Sequence, residues 1–217
     1  MITIAVLNLK GGSGKTTSAA FIAHALHEAG LRVLGVDADG ENESLVQWQS
    51  LGDWPFPVVG MAQPNLHKNL PGVADDDRYD AVVIDTPPMK EARNIVLSAA
   101  RVATHIVCPM APTGMEHSRL PAVRELVADA TDLRDGEKPL FAVLFTRTVA
   151  NASSTEVYRD IVTEEGDYVL KVPVARKEQF AQAFGSPIEN ALSTAYGDAV
   201  TELLDLTIDE AGKVASA

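Results

Sequence analysis

Residues 10–17 read Lys-Gly-Gly-Ser-Gly-Lys-Thr-Thr and follow an apolar run at positions 2–7. The glycines allow successive backbone N–H groups to point into one concavity without Cβ atoms in the way. A helix that begins near Lys15 adds the positive end of its dipole. This spacing predicts a phosphate-binding loop in which Lys15 reaches the β- and γ-phosphates of a nucleotide and the Thr16 hydroxyl ligates Mg²⁺.

The start of this loop departs from the common pattern G-x-x-x-x-G-K-S/T, which requires glycine where this chain has Leu9. A second lysine, Lys10, follows instead. In this feature the sequence resembles the ParA/MinD family of P-loop ATPases, whose deviant Walker A loop carries a signature lysine. The resemblance implies that Lys10 contacts the nucleotide of a partner subunit, so that a homodimer encloses two ATP molecules. The loop residues implied to bind nucleotide are Lys10, Gly11, Gly12, Ser13, Gly14, Lys15, Thr16 and Thr17.

Two carboxylates, Asp37 and Asp39, follow the apolar run 33–36. Residues two apart at a strand end point to the same side of the sheet. By resemblance to the family, Asp37 lies in the Mg²⁺ shell and Asp39 orients the attacking water. The family usually continues with Pro-Gln, whereas Gly40 and Glu41 follow here, so the geometry of this switch loop is left open. The catalytic set that the resemblance implies is Lys10, Lys15 and Asp39.

A second acidic strand end is the sequence Asp85-Thr86-Pro87-Pro88, which follows the apolar run 81–84. It resembles the switch II sequence of the family and matches the second acidic element of P-loop NTPases, which holds a Mg²⁺-bound water. Thr86 is then placed to respond to the γ-phosphate. The metal-binding residues implied together are Thr16, Asp37 and Asp85.

Three further positions resemble family sites at strand ends. The family often has aspartate where this chain has Glu116, before an interface helix, and its small members have a pair similar to Thr146-Arg147 beside the adenine. The loop that contains Arg176 resembles a later segment that also borders the base. Planar guanidinium groups stack on aromatic rings, so Arg147 and Arg176 are candidate adenine contacts, and ordinary surface arginines are the alternative.

The composition is that of a soluble globular domain. The chain has 217 residues, of which 46% are hydrophobic and 22% charged, and we expect one domain over 1–217. It contains no apolar run long enough to span a bilayer, and its amino terminus lacks the basic start of a signal peptide. The lone Cys108 is expected to pack in the core. We therefore expect a cytoplasmic protein.

Strand and helix patterns alternate along the chain. Strands are predicted at 2–8, 32–37, 58–60, 81–85, 104–108, 140–146 and 168–171, and helices at 14–29, 44–50, 66–70, 91–101, 115–130, 153–165, 177–184 and 194–206. Nearly continuous apolar strands between helices are typical of a parallel sheet covered on both faces. The sequence thus predicts an α/β fold with a doubly wound, mainly parallel sheet, the P-loop NTPase class.

The net charge of −12 bears on whether the protein binds DNA or a membrane, since both are negatively charged. Partition members of the family bind nucleoid DNA without sequence preference, through basic residues on phosphates. Local basic patches still act in an acidic chain because salt screens charges beyond about 8 Å, so non-specific DNA is left open as a partner. The acidic segment 202–210 argues against a MinD-type membrane helix. The two candidate basic sets are Arg119, Arg124, Arg134 and Lys138, and Arg159, Lys171, Arg176 and Lys177.

The resemblance is to the small partition ATPases of plasmid or chromosome segregation. It implies ATP and Mg²⁺ as cofactors, slow hydrolysis that a partner accelerates, and a ParB-type adaptor protein. The acidic tail predicts no membrane partner, and whether ATP-bound dimers extend into filaments is left open. A related positioning ATPase for another cargo, in MinD-like cell division or for a microcompartment, remains an alternative. So does a metabolic P-loop ligase of the dethiobiotin synthetase kind, which has no need of Lys10.

Overall fold

The computed structural model describes residues 1–206. Residues 207–217, which include Lys213 and part of the acidic segment 202–210, lie outside the described residues. None of the helices within residues 1–206 is long and apolar enough to cross a membrane.

Within residues 1–206, eight strands form one sheet, and every pairing between them is parallel. The strand order is β3-β2-β4-β1-β5-β6-β7, and β8 pairs with β6. This confirms the predicted α/β fold with a parallel sheet. The strands are β1 (Ile2–Val6), β2 (Val33–Asp37), β3 (Val58–Gly60), β4 (Ala81–Asp85), β5 (His105–Met110), β6 (Leu140–Thr148), β7 (Tyr168–Val169) and β8 (Val174–Ala175).

Nine α-helices connect the strands within the described part of the chain. They are α1 (Lys15–Glu28), α2 (Ser44–Gly52), α3 (Leu66–Asn69), α4 (Met89–Val102), α5 (Gly114–His117), α6 (Leu120–Asp132), α7 (Ser154–Glu164), α8 (Glu178–Ala181) and α9 (Ala195–Asp205). Two short 3₁₀ turns cover Leu70–Gly72 and Ala191–Ser193.

Each central strand is buried on both faces. In β1 and β4, Ile4 and Val83 belong to one apolar cluster, whereas their neighbours Ala5 and Val82 belong to the other. Helices α1, α2 and α9 contribute to the first cluster, and helices α3, α4, α6 and α7 to the second. Because side chains alternate across a strand, this double burial explains why the strands read as continuous apolar runs.

The prediction of one continuous helix at 115–130 is wrong, because the structure has two helices there, α5 and α6. The break falls at Ser118 and Arg119, and Pro121 stands in the first turn of α6. Proline lacks a backbone N–H and therefore suits the start of a helix rather than its interior. The helix predicted at 177–184 is likewise shorter, covering only α8.

A candidate nucleotide site

The predicted phosphate loop joins the end of β1 to the start of α1. Gly12 and Gly14 have φ angles of +73° and +90°, a left-handed conformation that side-chain-bearing residues rarely adopt. Gly14 precedes α1, and no side chain caps this helix end. The first N–H groups of a 14-residue helix therefore remain available to an anion, as phosphate binding requires.

The two lysines of the loop differ in their surroundings. Lys15 is buried, and its ammonium group donates a hydrogen bond to the Lys10 carbonyl oxygen at 3.1 Å. Burial lowers the pKa of Lys15, while the nearby carboxylates of Asp85 and Asp39 act in the opposite direction. The side chain of Lys10 is exposed and makes no hydrogen bond or ion pair with residues 1–206. Lys15 thus faces into the site, and Lys10 stands outside it.

Asp85 lies at the floor of the site, where β4 runs between β1 and β2. Its register partners are Val6 and Asp37, so the two predicted metal-binding carboxylates are adjacent. Asp85 is 1% exposed, and within residues 1–206 neither of its carboxylate oxygens has a hydrogen-bond partner of ordinary geometry. Burial raises the pKa of Asp85 to about 7, although the Thr16 hydroxyl and the Lys15 ammonium favour its charged form.

This buried carboxylate, which has no hydrogen bond of ordinary geometry within residues 1–206, fits a divalent cation as an additional partner. Within the described residues, no group of three or more His, Cys, Asp or Glu side chains could hold a metal ion by itself. The adjacent carboxylates of Asp85 and Asp37 suit Mg²⁺, because this ion is usually held by one or two carboxylates together with substrate phosphates and water. The residues present therefore fit the predicted Mg²⁺ site.

Asp37 organises the first switch loop. Its carboxylate accepts hydrogen bonds from the backbone N–H groups of Asp39 at 3.0 Å, Leu45 at 2.8 Å and Val46 at 3.1 Å. Two of these donors belong to the first turn of α2, so Asp37 caps that helix from the end of β2. Burial raises the pKa of Asp37, and the backbone hydrogen bonds oppose that shift. Its role as a metal ligand stays a prediction.

Asp39 is half-buried at the same strand end. One carboxylate oxygen accepts from the backbone N–H groups of Glu41 at 3.3 Å and Asn42 at 3.4 Å, and the other accepts from the Asn42 side-chain amide at 3.0 Å. These bonds form a local turn that holds the side chain of Asp39.

The glycine that replaces the family proline has a packing reason. A Cβ atom at Gly40 would lie 2.7 Å from the Cβ of Ala62, just beyond β3. Because real Cβ atoms do not approach that closely, a proline at position 40 would displace one of the two segments.

We expect Gly40→Ala to destabilise the fold by about 1–3 kcal/mol, the usual cost of overpacking. Ala62→Gly in the same chain removes the opposing methyl group and should restore most of that loss. Urea unfolding of the single and double variants measures both effects. Equal midpoints for Gly40→Ala and the unchanged protein would show that the loop does not depend on this contact.

A cleft of about 620 Å³ opens beside the phosphate loop. It is lined by residues that the sequence predicted to bind nucleotide: Gly12, Gly14, Thr17, Thr146, Arg147 and Arg176. No sequence motif indicated the other polar and aromatic walls, which are Lys177, Phe180 and Tyr196. Phe180 packs edge-on against Phe21 of α1 and against Tyr196 of α9, so its position depends on distant parts of the chain.

The residues predicted to contact adenine differ in their surroundings. Arg147 donates a hydrogen bond to the Gly12 carbonyl oxygen at 2.6 Å, and Thr146 donates to the Ser13 carbonyl oxygen at 3.4 Å. Arg176 is exposed, and its side chain has no hydrogen-bond partner within residues 1–206. The structure therefore places Thr146 and Arg147 against the phosphate loop, and base stacking by the arginines stays a prediction.

Most of the candidate DNA-binding cations are occupied by contacts within the chain. Arg124 pairs with Glu165 and Asp167, and Arg159 donates to backbone carbonyls near β7. Further contacts hold Arg119 to Glu116, Arg134 to the Ala103 carbonyl, and Lys171 to Glu202. In the part of the chain that the structure describes, Lys138, Arg176 and Lys177 have no such side-chain partner.

A family model for the CobQ/CobB/MinD/ParA nucleotide-binding domain matches residues 4–188. The chain belongs to this family. The chain is similar to the chromosome-partitioning ATPase Soj of Thermus thermophilus, 29% identical with 89% of this chain and 90% of Soj covered. It is also similar to the maintenance of carboxysome distribution protein A of Halothiobacillus neapolitanus, 28% identical with 83% of this chain and 82% of that protein covered.

Solved structures share the fold. The MinD cell division protein of Aquifex aeolicus matches with a TM-score of 0.72 at 19% identity, over 96% of this chain and 99% of MinD. Cobyrinic acid a,c-diamide synthase of Mycobacterium smegmatis, solved with an ATP analogue and magnesium, matches with a TM-score of 0.72 at 20% identity, over 94% of each chain. The phosphate loop and its acidic neighbours thus stand in a nucleotide-binding fold.

Proposed function

We propose that this family member is a ParA-type ATPase that binds ATP and Mg²⁺, pairs face to face with a second copy, and separates after hydrolysis. The position of Lys10 carries the proposal, because its side chain is exposed and unpaired within residues 1–206 at the start of the phosphate loop, whereas Lys15 is buried. An enzyme that works as a single subunit has no need of a second, outward-facing lysine at this place.

In the proposed complex the backbone N–H groups of the loop hold the phosphates, and Lys15 moves from the Lys10 carbonyl onto the β- and γ-phosphates. Thr16, Asp85 and Asp37 are the residues that would hold the metal. Bound Mg²⁺ supplies charge stabilisation to phosphoryl transfer. Thr86, whose hydroxyl donates to the Val6 carbonyl oxygen at 2.9 Å, is placed to change partners when a γ-phosphate arrives.

Asp39 is the residue proposed to orient the attacking water. The site offers no strong general base among the described residues, so catalysis depends on positioning and charge stabilisation. Slow turnover that a partner protein accelerates is the expected result.

The test of this role is Asp39→Ala, which we expect to keep nucleotide binding and to lower turnover about 100-fold, the usual contribution of a positioned group. Steady-state phosphate release and titration with a fluorescent ATP analogue measure the two quantities. Glu41→Ala is the matched control, since the Glu41 carboxylate is exposed and has no partner within residues 1–206. Turnover of Asp39→Ala at the unchanged rate would remove Asp39 from the mechanism.

The proposed cargo is a plasmid or chromosome, reached through a ParB-type adaptor, with filaments of the ATP-bound dimer as a further assembly. Similarity to the carboxysome distribution protein supports a protein microcompartment as the second candidate. We propose a cytoplasmic protein that associates with the nucleoid when it binds DNA through Lys138, Arg176 and Lys177. Anisotropy of a non-specific DNA duplex at several salt concentrations, with and without ATP, tests this DNA binding, because contacts to phosphates weaken steeply with salt.

A further inference from the structure

Arg147 occupies an irregular position in the sheet. Thr146 pairs with Val174 and Thr148 pairs with Ala175, so Arg147 is one extra residue on β6. Its φ angle is +56°, in the left-handed region that is uncommon for residues other than glycine. Bulges and strained residues of this kind re-aim side chains next to functional sites.

The bulge directs the Arg147 side chain to the phosphate loop. One terminal nitrogen donates to the Gly12 carbonyl oxygen at 2.6 Å. Gly12 itself has the left-handed φ of +73°, and its carbonyl needs a donor when water is excluded from the site. Arg147 supplies this donor and thereby stabilises the conformation of the loop.

Glu116 of α5 holds the same guanidinium group. Its Oε1 atom lies 3.5 Å from the second terminal nitrogen of Arg147 and 3.1 Å from Arg119. The Glu116 side chain is only 13% exposed, compared with 40% for Arg147, and its Oε2 atom is buried with no partner in residues 1–206. A carboxylate shielded from water attracts a cation more strongly than an exposed one.

We infer that Glu116 is a positioning residue for nucleotide binding, which keeps the Arg147 guanidinium on the Gly12 carbonyl and so keeps the phosphate loop ready for its ligand. The inference rests on the proposed function, in which this loop receives Mg²⁺ and ATP. It links α5 to the loop through two contacts in series, from Glu116 to Arg147 and from Arg147 to Gly12. Glutamate in place of the aspartate of the resembled motif provides the longer side chain used in this link.

The test is a double-mutant cycle on the full chain. Glu116→Gln keeps the size of the side chain and removes its charge, and we expect the affinity for a fluorescent ATP analogue with Mg²⁺ to fall about threefold, the usual effect of losing a partly exposed ion pair. Arg147→Met should lower the affinity at least as much, because Arg147 also lines the nucleotide cleft. In the Arg147→Met chain, Glu116→Gln should not lower the affinity further, because the effects of substitutions at two residues that act through one contact are not additive.

Arg119→Met is the control, because it removes the other partner of Glu116 and leaves the link to Arg147 in place. Unchanged affinity in Glu116→Gln, or full additivity of the two substitutions, would overturn the inference. Thermal unfolding verifies that each variant folds. If Glu116→Gln does not fold, Arg147→Lys tests the same link, since one ammonium group cannot replace the two-pronged guanidinium, and wild-type affinity in that variant would also overturn it. Failure of the unchanged protein to bind the analogue contradicts the proposed function instead.

Discussion

Replacing Lys10 by alanine is expected to abolish ATP-dependent pairing while leaving the fold intact. The Lys10 side chain is exposed and unpaired within the described residues, so its loss removes no contact inside that part of the subunit. Two subunits of net charge −12 repel one another, and the triphosphates between them add negative charge. A lysine that crosses to the neighbouring nucleotide offsets this repulsion at the point of contact.

Light scattering with Mg²⁺ and a non-hydrolysable ATP analogue measures the effect. We expect the unchanged protein to double its mass and Lys10→Ala to remain a monomer, with turnover at least about tenfold lower because the partner's charge is missing from the transition state. Lys68→Ala is the control, since it removes an exposed lysine on α3 far along the chain. Pairing and turnover of Lys10→Ala at the level of this control would refute the shared site.

The phosphate loop could be predicted from the sequence because its requirements are local. Gly12 and Gly14 are needed for their own backbone angles, and Lys15 follows them in a fixed helical register. Asp85 could be predicted for a similar reason. It follows an apolar strand directly, and ligands of parallel sheets bind at the carboxyl ends of the strands. The structure brings these residues together around one site.

The contacts of Arg147 and Phe180 could not be predicted in the same way. The direction of the Arg147 side chain depends on a bulge in the pairing of β6 with β8. Strand β8 has only two residues, which is too short for a periodic sequence pattern to predict it. Phe180 depends on aromatic neighbours in α1 and α9. Such contacts join residues far apart in the chain, and their partners become visible only when the elements are assembled.

Replacing Asp85 by asparagine is expected to make the nucleotide-free protein more resistant to alkaline pH and to remove Mg²⁺-dependent nucleotide binding. Burial raises the pKa of Asp85 from 3.8 to about 7. The folded protein therefore holds a proton that the unfolded chain releases between about pH 4 and pH 7. This contribution to stability is fully present below that window and is lost as the pH rises through it.

The Asp85→Asn variant has no charge to bury at this position, so its unfolding midpoint should gain on that of the unchanged protein as the pH rises from about 4 to about 7 and should exceed it at about pH 8. The comparison is made between the two proteins at each pH because buried His24, whose pKa is lowered to about 4, adds its own pH dependence to both. Affinity for an ATP analogue with Mg²⁺ should fall roughly 100-fold or more, since a metal contact is worth several kcal/mol. Asp80→Asn is the matched control, and its effect on the unfolding midpoint should have the opposite sign. The hydrogen bonds of Asp80 with Arg32 favour its charged form and lower its pKa to about 2. Asp80→Asn should lower the midpoint at the same alkaline pH and leave nucleotide binding unchanged. A difference between the two midpoints that does not change with pH would assign the proton to another group, and undiminished binding would remove Asp85 from the metal site.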